Sequence, residues 1–181
     1  KGVRNAVAHV NNEIRALLNG MDCTEQRKID FCMVEADGSF NKARFGANAM
    51  LAVSLACARA ASNTIGLPLY RYLGGVNASR FPVPMMNIMN GGKHANSSMN
   101  IQEFMIMPVG AASFPEGLEQ CCNVFHTLGR LLQKENYSIG VGDEGGYAPA
   151  LSSDEAALEF IMRAIEVAGY RPGVDFKLAL D

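Results

Sequence analysis

The chain has 181 residues, of which 49% are hydrophobic and 19% are charged, and its formal net charge is −2. This composition is ordinary for a soluble globular protein and argues against a disordered chain or a strongly basic nucleic-acid-binding domain. No run of about 18 uninterrupted apolar residues occurs, so no membrane-spanning segment is predicted.

The cysteines and the two ends of the chain give further expectations. Five cysteines without any C-x-x-C pair support neither a zinc knuckle nor a redox motif. We expect most of them to be small buried side chains in a reducing, cytoplasmic compartment. No secretory signal is visible at the start. The first residue is Lys1 and the last, Asp181, follows an apolar run directly, which suggests a piece cut from a longer polypeptide.

The first 80 residues have the spacing of amphipathic helices. Apolar residues recur at helical intervals over 3–18, and Gly20 is expected to end that helix. Asp22, with Glu25 three residues later, resembles the capping signature of a second helix. A third helix is predicted over 46–65, where many small side chains favour close packing on several sides.

The pattern changes near residue 80, where we place a domain boundary between 1–79 and 80–181. Short apolar runs bounded by prolines and glycines predict buried strands, and Ser-x-x-Glu signatures predict helix starts. The second part is therefore expected to follow the order strand, strand, helix, helix, strand. These elements are a strand within 82–89, a strand within 104–109, a helix capped by Ser113, a helix capped by Ser152 and a strand over 176–181.

Four places combine backbone freedom or strand ends with ionisable side chains. Glycines allow a loop to approach a ligand closely, although a glycine pair also marks an ordinary turn. A carboxylate held in such a loop can be partly desolvated and act as a general acid, or it can be a solvated loop charge. An Asp at a strand end is either a catalytic-face residue or a helix N-cap. The four places are Gly91–His94, Gln102–Glu103, Gly142–Gly146 with Asp143 and Glu144, and Asp181.

The segment from Gly140 to Gly145 also matches the dinucleotide pattern G-x-G-x-x-G. Its context does not support nucleotide binding, because Asp143 and Glu144 would place two negative charges against a pyrophosphate. In addition, the next predicted helix begins only after Ser152 rather than at the third glycine. A nucleotide-binding module is therefore the least favoured of the functions considered.

Taken together, the segments resemble the enolase family, the glycolytic phosphopyruvate hydratases. The resemblance follows the whole chain in order and spacing. It is carried by FGANAMLAVSLA at 45–56, PVPMMNIMNGGKHA at 82–95, QEFMIMP at 102–108 and VGDEGGYAP at 141–149.

The resemblance implies a fold in two parts, both incomplete, in the α/β class. Residues 1–79 are similar to the helical part of the family's α+β N-terminal domain. Residues 80–181 are similar to the start of its modified TIM barrel, which opens β-β-α-α and has an antiparallel second strand. That strand direction would bring Glu103, at the beginning of its strand, to the catalytic face.

The resemblance also implies a reaction and roles for four residues. The reaction is the reversible dehydration of 2-phosphoglycerate to phosphoenolpyruvate, with magnesium stabilising the carbanion. Glu144 is implied as the general acid, Glu103 as its assistant and a substrate-binding residue, His94 as a substrate-binding residue on a mobile loop, and Asp181 as a magnesium ligand. A cytoplasmic homodimer is implied as well.

Two further expectations follow from the resemblance. The family's base lysine, its other two metal carboxylates and a loop of the N-terminal domain cannot be matched here, so the chain alone is expected to be inactive and to fold poorly. The alternative function is a non-catalytic structural or binding protein with the enolase fold, but the presence of Glu103, Glu144, His94 and Asp181 favours the enzyme.

Overall fold

The computed structural model describes residues 2–92 and 99–181, and the chain divides into two compact units, Lys1–Arg80 and Phe81–Asp181. Each unit has its own hydrophobic core. No helix in the described ranges combines the length and the hydropathy needed to cross a membrane.

All of the regular secondary structure described in the first unit is helical. The predicted helix over 3–18 is present, but a π-helical turn at Val10–Ile14 interrupts it. Around that turn the helix is divided into two α-helical pieces. The helices of this unit are α1 (Arg4–His9), α2 (Arg15–Leu18), α3 (Gln26–Asp37), α4 (Ala47–Thr64) and α5 (Leu69–Gly74).

A buried carboxylate connects the end of α3 to the start of α4. Asp37 is only 5% exposed, and its Oδ2 accepts a hydrogen bond from the Phe45 amide at 2.7 Å. Its Oδ1 accepts from the Ser39 amide at 3.1 Å and from the Ser39 hydroxyl. The amide of Phe45, followed by the Ser39 hydroxyl, holds the pKa of this carboxyl below its usual value. Asp37 thereby orders the turn that presents Phe45 to the core.

Several local expectations in the first unit need correction. Asp22 does not cap α3; it accepts hydrogen bonds from Thr24, and Glu25 occupies the N-cap position. Helix α4 buries Ala49, Met50, Ala58, Ala61 and Ser62, while Leu51 and Leu55 are exposed. Among the cysteines of both units, Cys121 is buried and Cys122 is exposed, whereas the other three are half-buried.

The second unit follows the predicted order of strand, strand, helix, helix, strand. The two strand pairs β1–β2 and β2–β3 are both antiparallel, so β2 runs opposite to both of its neighbours, as the resemblance implied. In the described residues the sheet has these three strands and is not closed into a barrel. Its elements are β1 (Met86–Asn90), β2 (Glu103–Met107), α6 (Phe114–Lys134), α7 (Asp154–Val167) and β3 (Lys177–Leu180).

The two helices of this unit begin at serine caps and cover one face of the sheet. Ser113 Oγ accepts from the Glu116 amide at 3.3 Å, as predicted. The cap of α7 is Ser153 rather than Ser152, since Ser153 Oγ accepts from the Ala156 amide at 3.2 Å. The apolar sides of α6 and α7 pack on the sheet in one core with fully buried members such as Phe104, Ile106, Leu128 and Ile161.

Candidate active site

The pairing of the three strands places three polar residues side by side. Asn90, the last residue of β1, is paired with Glu103, the first residue of β2. On the other side of β2, the Asp181 carbonyl accepts hydrogen bonds from the amides of Gln102 at 2.8 Å and Glu103 at 3.1 Å. The Asp181 amide in turn donates to the Glu103 carbonyl at 3.1 Å. Two of the residues predicted for the site, Glu103 and Asp181, are thus neighbours across the sheet.

These residues share the face of the sheet that is opposite the helices. Residues paired across adjacent strands point to the same face, and alternate residues along a strand do so as well. Phe104 and Ile106 are fully buried in the helix-covered core, so Glu103 and Met105 point to the other face. The residues of β1 and β3 that pair with Glu103 and with Met105 therefore belong to that face as well. Together they are Asn87, Asn90, Glu103, Met105, Ala179 and Asp181.

An irregularity in β1 is what turns Asn90 to this face. The pairing shifts between Asn87 and Met89, so that Ile88 is an extra residue without a partner on β2. Such a bulge reverses the alternation of the residues that follow it. With regular pairing Asn90 would point into the core, whereas here Ile88 and Met89 are both buried and Asn90 lies beside Glu103.

The loop that carries Glu144 lies along the free edge of β1. The Tyr147 amide donates to the Ile88 carbonyl at 3.0 Å, and the Asn90 amide donates to the Tyr147 carbonyl at 2.8 Å. The Asn87 side-chain amide donates to the Glu144 carbonyl at 3.5 Å. β1 consequently has the Glu144 loop on one side and the strand of Glu103 on the other.

Tyr147 fixes this loop to the helices. Its ring is buried and stacks on Phe125 of α6 at a centroid distance of 4.3 Å. Gly129 makes room for it, because a Cβ there would lie 2.8 Å from Tyr147 Cζ. Burial raises the pKa of the Tyr147 hydroxyl.

The glycines of the loop shape its turn and leave its carboxylates at the surface. The Gly145 amide donates to the Gly142 carbonyl at 3.1 Å, with Gly145 at a φ of 89° that favours glycine. Asp143 and Glu144 are both exposed. Of the two alternatives for these carboxylates, a desolvated acid or a solvated loop charge, the exposure of Glu144 in this structure corresponds to the second. Nor does a helix begin at Gly145, since α7 starts at Asp154, which agrees with the weak context of the nucleotide pattern.

His94 lies outside the described residues, but the backbone on both sides of its segment is described. The Gly91 amide donates to the Gln102 carbonyl at 3.1 Å, and the Gly92 amide donates to the Met99 carbonyl at 2.8 Å. Asp154, the first residue of α7, accepts through Oδ1 from the amides of Asn100 at 3.0 Å and Ile101 at 3.2 Å. These bonds fix the backbone that leads from residue 99 to Glu103.

The side chains on this face offer oxygen ligands of the type that a hard cation prefers, but they are too few to form a complete metal site. Magnesium prefers carboxylate and other oxygen ligands, and Asp181 can offer an exposed carboxylate. However, no group of three or more His, Cys, Asp or Glu side chains that could hold a metal ion occurs within residues 2–92 and 99–181. Asp181 fits as a single ligand, and the described chain alone does not form a magnesium centre.

Sequence reasoning missed Asn90, Asn87, Tyr147 and Asp154. A signal existed for the two asparagines, since amides inside the apolar run 82–89 and directly after it are unusual in a buried strand. Their direction could not be read, because it depends on the bulge at Ile88.

Comparison with protein families agrees with this architecture. The family model described as the enolase C-terminal TIM barrel domain matches residues 78–181, which is more than half of the chain. The model described as the enolase N-terminal domain matches residues 1–73. The resemblance seen in the sequence and the fold class that it implied are therefore confirmed, and the chain belongs to the enolase family.

Proposed function

We propose that this chain belongs to an enolase that dehydrates 2-phosphoglycerate reversibly to phosphoenolpyruvate. The observation that carries the proposal is the sheet face on which Glu103 and Asp181 are backbone neighbours, with the Glu144 loop docked along the adjacent strand. The enolase-family domains support a lyase that acts on a small molecule. By the same resemblance we propose a cytoplasmic homodimer with domains at 1–79 and 80–181.

The proposed reaction removes a proton from C2 and a hydroxide from C3. The C2 proton is weakly acidic because its removal adds negative charge next to a carboxylate. Glu144 donates a proton to the departing C3 hydroxyl, which leaves as water while the C2 electron pair forms the double bond. Glu103 assists this acid and contacts the substrate, and His94 contributes to substrate binding. We assign no C2 base within these residues.

Enolase-family domains are generally magnesium-dependent. When bound, magnesium would supply positive charge next to the substrate carboxylate. We propose Asp181 as one of its ligands, since its position directly after β3 places an exposed carboxylate beside Glu103.

Asp181→Asn is expected to weaken magnesium binding in the full-length protein by at least about tenfold, since it removes a charged oxygen ligand. Magnesium titration followed by calorimetry measures this directly. Glu159→Gln on α7 is the matched control, because it removes an exposed carboxylate outside the site. Equal magnesium affinity in the two variants would remove Asp181 from its proposed role.

The 181-residue chain by itself is expected to be inactive. Its described sheet has three strands and is not closed, and its described residues do not form a metal centre. The test mixes the purified chain with magnesium and 2-phosphoglycerate and follows the ultraviolet absorbance of phosphoenolpyruvate, with an active enolase as the positive control. A clear rise in absorbance would contradict this expectation. A full-length protein that also gives no rise would support the non-catalytic alternative.

A further inference from the structure

Asn90 is a polar residue that is completely buried, although it lies on the face of the sheet opposite the helices. Asn90 is 0% exposed, and the two residues before it in β1, Ile88 and Met89, belong to the hydrophobic core. Buried polar groups are usually hydrogen-bonded, so an amide at such a place needs an explanation. Neither the general acid role of Glu144 nor the ligand role of Asp181 uses it.

The carboxamide of Asn90 lies between the two segments that carry the proposed carboxylates. On one side, Asn90 Nδ2 donates to the Gln102 carbonyl at 3.4 Å, and Gln102 immediately precedes Glu103. On the other side, Asn90 Oδ1 lies so close to Gly146 that a Cβ there would collide with it. Gly146 comes two residues after Glu144 in the loop.

The backbone of Asn90 repeats this connection. Its amide donates to the Tyr147 carbonyl at 2.8 Å, and the residue pairs with Glu103 across the sheet. Asn90 Oδ1 itself has no hydrogen-bond partner among the described residues. A buried acceptor without a partner is unfavourable, so packing alone would select an apolar residue here.

We propose that Asn90 is a positioning residue that fixes the Glu144 loop relative to the strand of Glu103. The inference rests on the proposed enolase function for its catalytic consequence, but the mechanical link is independent of it. An amide suits this place because it is neutral and can donate to the Gln102 carbonyl, whereas a buried carboxylate would face that carbonyl with two acceptors. Small displacements of catalytic groups reduce turnover strongly while they affect substrate affinity less.

The test compares Asn90→Ala and Asn90→Asp in the full-length protein, first by amide hydrogen exchange. We expect exchange at the Tyr147 and Gln102 amides to accelerate by about tenfold or more, while the amides of α6 stay within about twofold. Thr127→Val is the matched control, because it removes a buried polar group of α6 whose hydroxyl accepts a hydrogen bond from Arg130 on the same helix. It is expected to leave the Tyr147 and Gln102 amides unchanged.

The second measurement is steady-state kinetics. Both Asn90 variants are expected to lower kcat by about 10–100-fold and to change KM by less than about threefold. Should Asn90→Ala fail to fold, Asn90→Asp preserves the shape of the side chain and gives the same comparison.

Each result supports or overturns the link. Exchange that rises equally across α6 and the sheet would show that Asn90 supports the stability of the whole unit and does not connect the two segments. A kcat equal to that of the unmodified protein would overturn the catalytic consequence of the link. A full-length protein without enolase turnover would overturn the proposed function instead, and the exchange measurement would still decide whether Asn90 connects the two segments.

Discussion

Glu144→Gln is expected to lower the turnover of 2-phosphoglycerate in the full-length protein by about 10²–10⁴-fold, the usual contribution of a general acid. Glutamine keeps the shape of the side chain and its hydrogen-bonding reach, but it cannot donate a proton to the departing hydroxyl. The Glu144 carbonyl, rather than its carboxylate, accepts the bond from Asn87, so the substitution leaves that contact of the loop with β1 in place. Magnesium binding should therefore survive.

The measurement combines phosphoenolpyruvate formation with magnesium titration of the same variant. Asp143→Asn is the matched control, because Asp143 is the preceding residue, is also exposed at the surface of the loop and loses the same charge. A large loss of turnover in Glu144→Gln alone assigns the proton donor. Turnover at the unmodified level would remove Glu144 from that role, and equal losses in both variants would indicate a loss of loop charge rather than of an acid.

Gly146→Ala is expected to lower the free energy of unfolding by about 1–3 kcal/mol, as overpacking of a core does. A Cβ at this position would collide with Asn90 Oδ1 and lie 2.7 Å from Met89 N and 2.9 Å from Ile88 C. Two of these three atoms are backbone atoms of β1, which cannot rotate away. The loop must therefore move off the strand, and Glu144 must move with it.

Urea unfolding measures this effect, and Gly140→Ala is its control within the same loop. A Cβ at Gly140 would lie 3.4 Å from Ser138 Oγ, the end of an exposed side chain, and would meet nothing nearer among the described residues. We also expect Gly146→Ala to lose turnover in parallel with its stability. The same unfolding midpoint in both variants would contradict the close docking of the loop on β1.

The order of elements in the second unit could be predicted because each signal is local. Ser113 and the apolar positions of α6 are a few residues apart, and so are the prolines and glycines that bound the strands. The sequence predicts the cap of α7 one residue too early, because Ser152 and Ser153 are adjacent and only the backbone geometry selects between them. The apolar residues over 3–18 recur at intervals of three and four, which an uninterrupted α-helix explains equally well, so periodicity does not reveal the π-helical turn at Val10–Ile14.

The composition of the site was easier to predict than its arrangement. The glycines next to carboxylates predict Glu144 as a candidate site residue, and the strand end predicts Asp181. That Glu103 pairs with both Asn90 and Asp181 follows from strand register, which depends on contacts distant in sequence. Tyr147 could not be recognised either, because its role depends on the space that Gly129 leaves on another element.

The extra residue at Ile88 has a consequence for the order in which this unit folds. Regular pairing would also form backbone hydrogen bonds between β1 and β2. The two strands alone therefore favour the bulged register only weakly. The backbone hydrogen bonds of Ile88 and Asn90 to Tyr147 favour the bulged register. Tyr147 lies more than fifty residues later in the chain. We therefore expect β1 to reach its final register only after Tyr147 has docked, which makes this strand a late, long-range step of folding.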